Sequence, residues 1–154
     1  MRLFFCAAAA VSLGGCGYSV GGLIEHEAVS VPMFDSLSER RTHEFDLHRA
    51  VTDEAKKRGV RVDPEAPVEL KGRILDITEP TLVENPGDVP IVGAVSFRFE
   101  AALVDRATKR ELWKRVLEES ASFSTGRSES RETARQEVMD RLARRVINLL
   151  EKDW

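Results

Sequence analysis

Hydrophobic and polar positions alternate in some stretches of this chain and recur every three or four residues in others. Val29, Val31 and Met33 alternate with Ser30 and Pro32, which predicts a first strand over residues 28–34. Pro32 has no N–H to give a ladder, so it marks an edge or the strand's end. Ser36-Leu37-Ser38-Glu39 has the serine-to-glutamate spacing of a capping box. A helix is predicted from there to about Arg58, with Phe45, Leu47, Val51 and Ala55 as its apolar stripe. Lys56, Lys57 and Arg58 fall in its last turn, where cations meet the negative end of the helix dipole. Gly59 supplies a left-handed stop.

Val68, Leu70, Gly72 and Ile74 then alternate with Glu69, Lys71 and Arg73, the pattern of a half-buried strand. The phase slips after Ile74, which implies a bulge or an end. Residues 80–90 hold Pro80, Pro86 and Pro90 and are expected to form a long connection with its tip at Pro86-Gly87-Asp88. Val95, Phe97, Phe99, Ala101 and Leu103 mark a third strand. A turn over residues 105–109 leads to a fourth, from Leu112 to Phe123, paired hairpin-fashion. Ser128 or Ser130 can cap a final helix striped by Ala134, Val138, Leu142, Val146 and Leu149, with Glu137 before Arg141 and Asp140 before Arg144 on its outer side. The order β-α-β-β-β-α predicts an α+β fold: a two-layer sandwich with a mostly antiparallel four-stranded sheet and both helices on one face.

The start of the chain has a different grammar. Arg2 precedes an apolar run from Leu3 to Leu13, and Gly14-Gly15-Cys16 follow. A charged start, an apolar middle and small residues make a secretory signal, and the run is too short to span a bilayer. The ending Leu13-Gly14-Gly15-Cys16 resembles the bacterial lipobox, whose cysteine receives a diacylglycerol and, after cleavage, an N-acyl chain. The chain is therefore expected to divide into a cleaved signal (residues 1–15), a lipidated tether with three glycines (16–26) and one α+β domain (27–154). Cys6 leaves with the signal, so Cys16 would be the only cysteine of the mature chain and no internal disulfide can form. Gly17 stands where an aspartate would favour retention at the inner membrane, which points to the outer membrane.

Composition narrows the chemistry. A net charge of −3 is wrong for a nucleic-acid binder, and the export signal removes that partner further. No nucleophile elbow, phosphate loop or metal-ligand spacing is present. His43 and His48 are five apart and do not share a helix face, and Glu118 and Glu119 point to opposite sides of a strand. No catalytic residue, metal site or cofactor is expected beyond the covalent lipid. Lys71, Arg73 and Arg98, with Lys114, lie on the wet face of the predicted sheet. They are candidates for binding an anion or a partner, because arginine grips phosphate with two bonds and lysine as a point charge. The plainer alternative is a solvated face with Glu69 and Glu100 as countercharge. Arg127, Arg131 and Arg135 form a like-charge row that Glu129 and Glu132 would offset.

Several short motifs agree with one family. Cys16-Gly17-Tyr18-Ser19 with Gly21-Gly22, Val31-Pro32-Met33-Phe34, Glu69-Leu70-Lys71-Gly72-Arg73-Ile74 and Leu103-Val104-Asp105 through Glu111-Leu112-Trp113 together resemble the LPS-assembly lipoproteins, the LptE-like family. Lys109-Arg110 departs from it where a glycine is expected in the turn, and so does Asp35-Ser36-Leu37 after Phe34. The resemblance implies a non-enzymatic lipoprotein on the periplasmic side of the outer membrane. It would partner and plug an LptD-like β-barrel that inserts lipopolysaccharide, help the barrel assemble, and contact lipopolysaccharide itself. Two other classes remain open on the residues alone. One is a lipid-tethered periplasmic adaptor for another envelope machine, a peptidoglycan-synthesis activator or a secretion component. The other is a lipid-tethered enzyme.

Overall fold

The computed structural model describes residues 28–37, 43–84, 86 and 90–151. Cys16, the signal, the tether and His26 lie outside them. In chain order the elements are β1 (Ala28–Val29), β2 (Asp35–Ser36), α1 (His43–Lys57), β3 (Arg61–Val62), β4 (Val68–Thr78), β5 (Thr81–Glu84), β6 (Pro90–Asp105), β7 (Glu111–Ser124) and α2 (Arg131–Asn148). The fold is α+β, as expected.

β6 is the spine of a five-stranded sheet. It pairs antiparallel with β4 and β5 along one side and with β7 along the other. β2 adds to β4 in parallel, and β1 pairs β3 in parallel. The sheet is therefore mixed, where four mostly antiparallel strands were expected. The reason is the connection: parallel neighbours need a crossover, and α1 lies between each early strand and its mate.

The predicted strand over 28–34 divides at the proline. Ser30 still joins the ladder, donating to Val68 O at 2.9 Å and accepting from Leu70 N at 2.8 Å. Pairing resumes at Asp35. Ser36 is consequently in β2; α1 begins at His43, and Ser38 and Glu39 lie outside the described residues. Phe45 is exposed, although it was placed on the apolar stripe. At 100° per residue it stands about 120° around the helix from the centre of the stripe formed by Leu47, Val51 and Ala55, all fully buried.

Within the expected connection over residues 80–90, Thr81–Glu84 and Pro90 are strand, Pro86 is in a turn, and Gly87 and Asp88 lie outside the described residues. Pro80 lacks a donor, yet its carbonyl accepts from Ala94 N at 3.1 Å, so the ladder bridges the break and β5 continues along β6. The phase slip after Ile74 is a register shift between Ile74 and Asp76. Gly59 has φ +79° and closes α1 as predicted. Ser130, not Ser128, caps α2 by accepting from Thr133 N at 3.0 Å.

One sheet face carries Leu70, Ile74, Val95, Phe97, Phe99, Leu103, Leu117 and Phe123, all buried. Leu47 and Val51 of α1 and Val138, Leu142 and Val146 of α2 complete the same core. Near its centre is Gly72. A Cβ there would fall 2.3 Å from Cζ of Phe99 and 2.7 Å from Cδ1 of Phe34. The two rings pack 5.2 Å apart over this gap, and His48 meets Phe34 edge-on at 5.5 Å while its Nε2 bonds Val31 O at 3.0 Å.

The β6–β7 turn is held by Asp105, whose Oδ1 accepts from Thr108 N (2.7 Å) and Oγ1 (2.8 Å). These bonds to Thr108, chiefly the backbone one, hold the Asp105 carboxyl below its ordinary range. Lys109 then adopts φ +60°, the left-handed conformation that glycine accepts most easily. The position where the chain departs from its family's turn is thus the position with the strained backbone.

Two consequences are measurable by denaturant unfolding. Gly72→Ala should lower stability by about 1–3 kcal/mol, because two aromatic rings would have to move. Lys109→Gly should raise it by roughly 0.5–1 kcal/mol by removing the left-handed strain.

Candidate functional site

The sheet face away from the helices is built by register. Lys71, Ala102 and Lys114 form one cross-strand row, and Arg73, Glu100 and Val116 form the next. Asp76, Arg98 and Glu118 form a third. Small Ala102 leaves a shallow depression of about 310 Å³ between the two lysines. Asp35, Arg73, Glu100, Lys109 and Glu111 complete its charged rim.

Three of the four basic residues picked out by alternation, Lys71, Arg73 and Lys114, therefore share one groove. Arg98 stands on the same face but does not line it. Lys109 and Asp35 belong to the groove and were not anticipated. Asp35 arrives through the parallel pairing of β2 with β4, which leaves no local signature. Lys109 arrives through the turn.

The cations are matched by carboxylates. Lys71 lies 3.8 Å from Glu69, Arg73 lies 3.6 Å from Asp35, and Lys114 lies 2.9 Å from Glu100. With Glu111 on the rim and Glu69 beside Lys71, four cations face four carboxylates around the groove. Each pair is substantially exposed, so each contributes between nothing and about 1 kcal/mol. Lys109 and Arg98 make no ion pair among the described residues. The groove can accept an anion by exchanging a carboxylate partner for it, at small cost per exchange.

Two members of the arginine row, Arg131 and Arg135, are held by structural contacts. Glu79, in the break between β4 and β5, meets Arg135 at 2.7 Å and Arg131 at 3.6 Å. Arg135 also pairs with Glu132 at 2.5 Å, and Arg131 sits over the Phe123 ring at 5.9 Å. Glu129 turns instead to Ser124 N at 2.9 Å. Glu137 and Arg141 pair as expected at 2.5 Å, whereas Asp140 accepts from Gln136 at 3.1 Å.

The described residues contain no cluster of side chains able to hold a metal. His48 is committed to Val31 O and the Phe34 ring, and His43 packs edge-on against Phe97 at 5.8 Å. Glu118 is exposed on the wet face. Glu119, on the other side of β7, pairs with Arg145 at 2.6 Å. No described helix is long and apolar enough to cross a membrane.

No curated protein matches this chain. Several solved structures share its fold. The PelC dodecamer from Paraburkholderia phytofirmans is 14% identical, with 87% of this chain and 95% of that one covered and a TM-score of 0.60. Rare lipoprotein B from Shewanella oneidensis is 18% identical, with 80% and 92% covered and a TM-score of 0.54. A minor lipoprotein from Acinetobacter baumannii is 14% identical, with 81% and 90% covered and a TM-score of 0.54. The sequence pattern of a family described as LptE, lipopolysaccharide-assembly, matches residues 27–150. With most of its length matched, this chain is a member of the LptE lipopolysaccharide-assembly family.

Proposed function

We propose that this protein is an outer-membrane lipoprotein, anchored through diacylglycerol and an acyl chain on Cys16. In this reading it faces the periplasm and partners an LptD-like β-barrel that delivers lipopolysaccharide. The observation that carries the reading is the family match across residues 27–150. The lipobox, with its cysteine twelve residues before the first strand, supports the anchor.

The groove at Lys71, Arg73 and Lys114 is the surface this reading offers to the barrel wall or to lipid A phosphates. Its cations are held loosely by exposed carboxylates, which suits a surface that exchanges one set of anions for another. The work assigned to the protein is binding and plugging, in keeping with a family of non-enzymatic lipoproteins. The lipid on Cys16 is the only attached group this role requires. Two or more acyl chains suffice for stable anchoring, since each buried methylene contributes about 0.8 kcal/mol.

A mild-detergent pull-down from outer membranes with a C-terminal tag tests the reading, with Cys16→Ala as control. A large β-barrel subunit should copurify in stoichiometric amount, less with Cys16→Ala, and less again with the charge reversals Lys71→Glu and Lys114→Glu. Recovery of periplasmic or inner-membrane machinery with no barrel would overturn it in favour of an adaptor for another envelope machine.

A further inference from the structure

The sheet has two unlike ends, and the chain enters the domain at one of them. Ser30 bridges Glu69, which pairs with Val104, which pairs with Glu111. Ala28 lies two residues beyond that row, towards the start of β4. The β6–β7 turn is at this end too: Val68 pairs with Asp105, and Arg106 N bonds Pro67 O at 2.9 Å. The last turn of α2 reaches the same place.

Here the core opens into a pocket of about 390 Å³, lined by Val68, Leu103, Leu112, Trp113, Leu149 and Leu150 together with Asp105. Leu112 is exposed, and Trp113 and Leu149 are half-buried. Beside it stand Lys109 and Arg110, exposed at the turn. Arg106 is already committed to the carbonyls of Pro64 and Ala66. Lys109 makes no ion pair among the described residues.

We infer that this end of the domain is a docking surface for an anionic phospholipid leaflet, with Leu112 and Trp113 entering the interface and Lys109 and Arg110 meeting the headgroups. Tryptophan is enriched where one end of a side chain is apolar and the other wet, and exposed cations near a leaflet add about 1 kcal/mol each. The tether's length selects the end. Eleven residues lie between Cys16 and Ala28, and the twelve steps from one to the other reach about 40 Å at full extension. The far tip, past β4 and β5, is about 50 Å from Ala28 along the strands. A tether of that reach holds the Ala28 end of the domain nearer to the point of attachment than the far tip. The groove face is charge-paired and carries no tryptophan. The inference takes from the proposed function only that Cys16 is the point of attachment.

The test does not need the cell to lipidate Cys16. All core residues among those described lie between Ala28 and Leu150, so residues 16–154 keep the core. Cys16 is then the only cysteine and can be coupled to maleimide-phosphatidylethanolamine in vesicles rich in phosphatidylglycerol. Trp154→Phe leaves Trp113 as the only tryptophan. Its emission should shift to the blue and fall by at least about a third when the acyl chains are brominated. Leu112→Asp, and separately Lys109→Glu with Arg110→Glu, should abolish most of that quenching while circular dichroism stays unchanged. Equal emission in brominated and plain vesicles would overturn the inference, as would quenching that survives both sets of substitutions. Whether cells acylate Cys16 is read separately, by the mass of the N-terminal peptide, so the two ideas fail independently.

Discussion

A missing side chain at Gly72 holds the two halves of this fold together. With no Cβ at that point of β4, the rings of Phe34 and Phe99 can close over the strand from both sides. Phe99 belongs to the central strand. Phe34 belongs to the segment that comes from the N-terminus. The contact therefore fixes how that segment lies along β4, and the bonds at Ser30 and Leu37 fix its register on either side. His48 ties α1 to the same point through Phe34 and Val31 O.

The rest of the molecule is organised around β6, which is paired along both sides and fully buried at alternate positions. Its outer neighbour β7 closes the sheet, and a free strand edge invites pairing with other chains. α2 manages part of that edge. Arg145 and Arg141 donate to the carbonyls of Glu118 and Ser120, each at 3.0 Å. The same helix is held at its other end by Glu79 from the opposite side of the sheet. One helix thus spans from the β4–β5 break to the outer edge of β7, with charged contacts at both places beside the apolar stripe that it buries in the core.

Much of this was legible because amphipathic strands and capped helices carry their period in the residues. The alternation from Val95 to Leu103 was enough to place the core face of β6, and Gly59 was enough to end α1. What was not legible came from partners distant in the chain. Ser36 satisfies the local grammar of a helix cap, yet the carbonyl of Ile74 competes for the backbone beside it, and the strand wins. Pro80 reads as a loop because it lacks a donor, but an edge position asks only for its carbonyl. The groove was half legible: alternation put Lys71, Arg73 and Lys114 on one face, while Asp35 and Lys109 needed the parallel crossover and the turn to reach it.

That groove also shows why counting cations on a sequence cannot rank an anion site. Every lysine or arginine that alternation selects on this face has a carboxylate beside it or in the neighbouring strand. Such pairs contribute little because both members remain wet. Their small worth cuts in the other direction as well. A partner bringing its own anions gives up almost nothing when it displaces Asp35 or Glu100, and once water is excluded the new pairs gain strength from the lower dielectric. A charge-balanced face of this kind stays soluble and unreactive while uncovered, and becomes adhesive only where a shape-matched partner dries it. Attraction at the groove is thereby made conditional on fit rather than on charge alone.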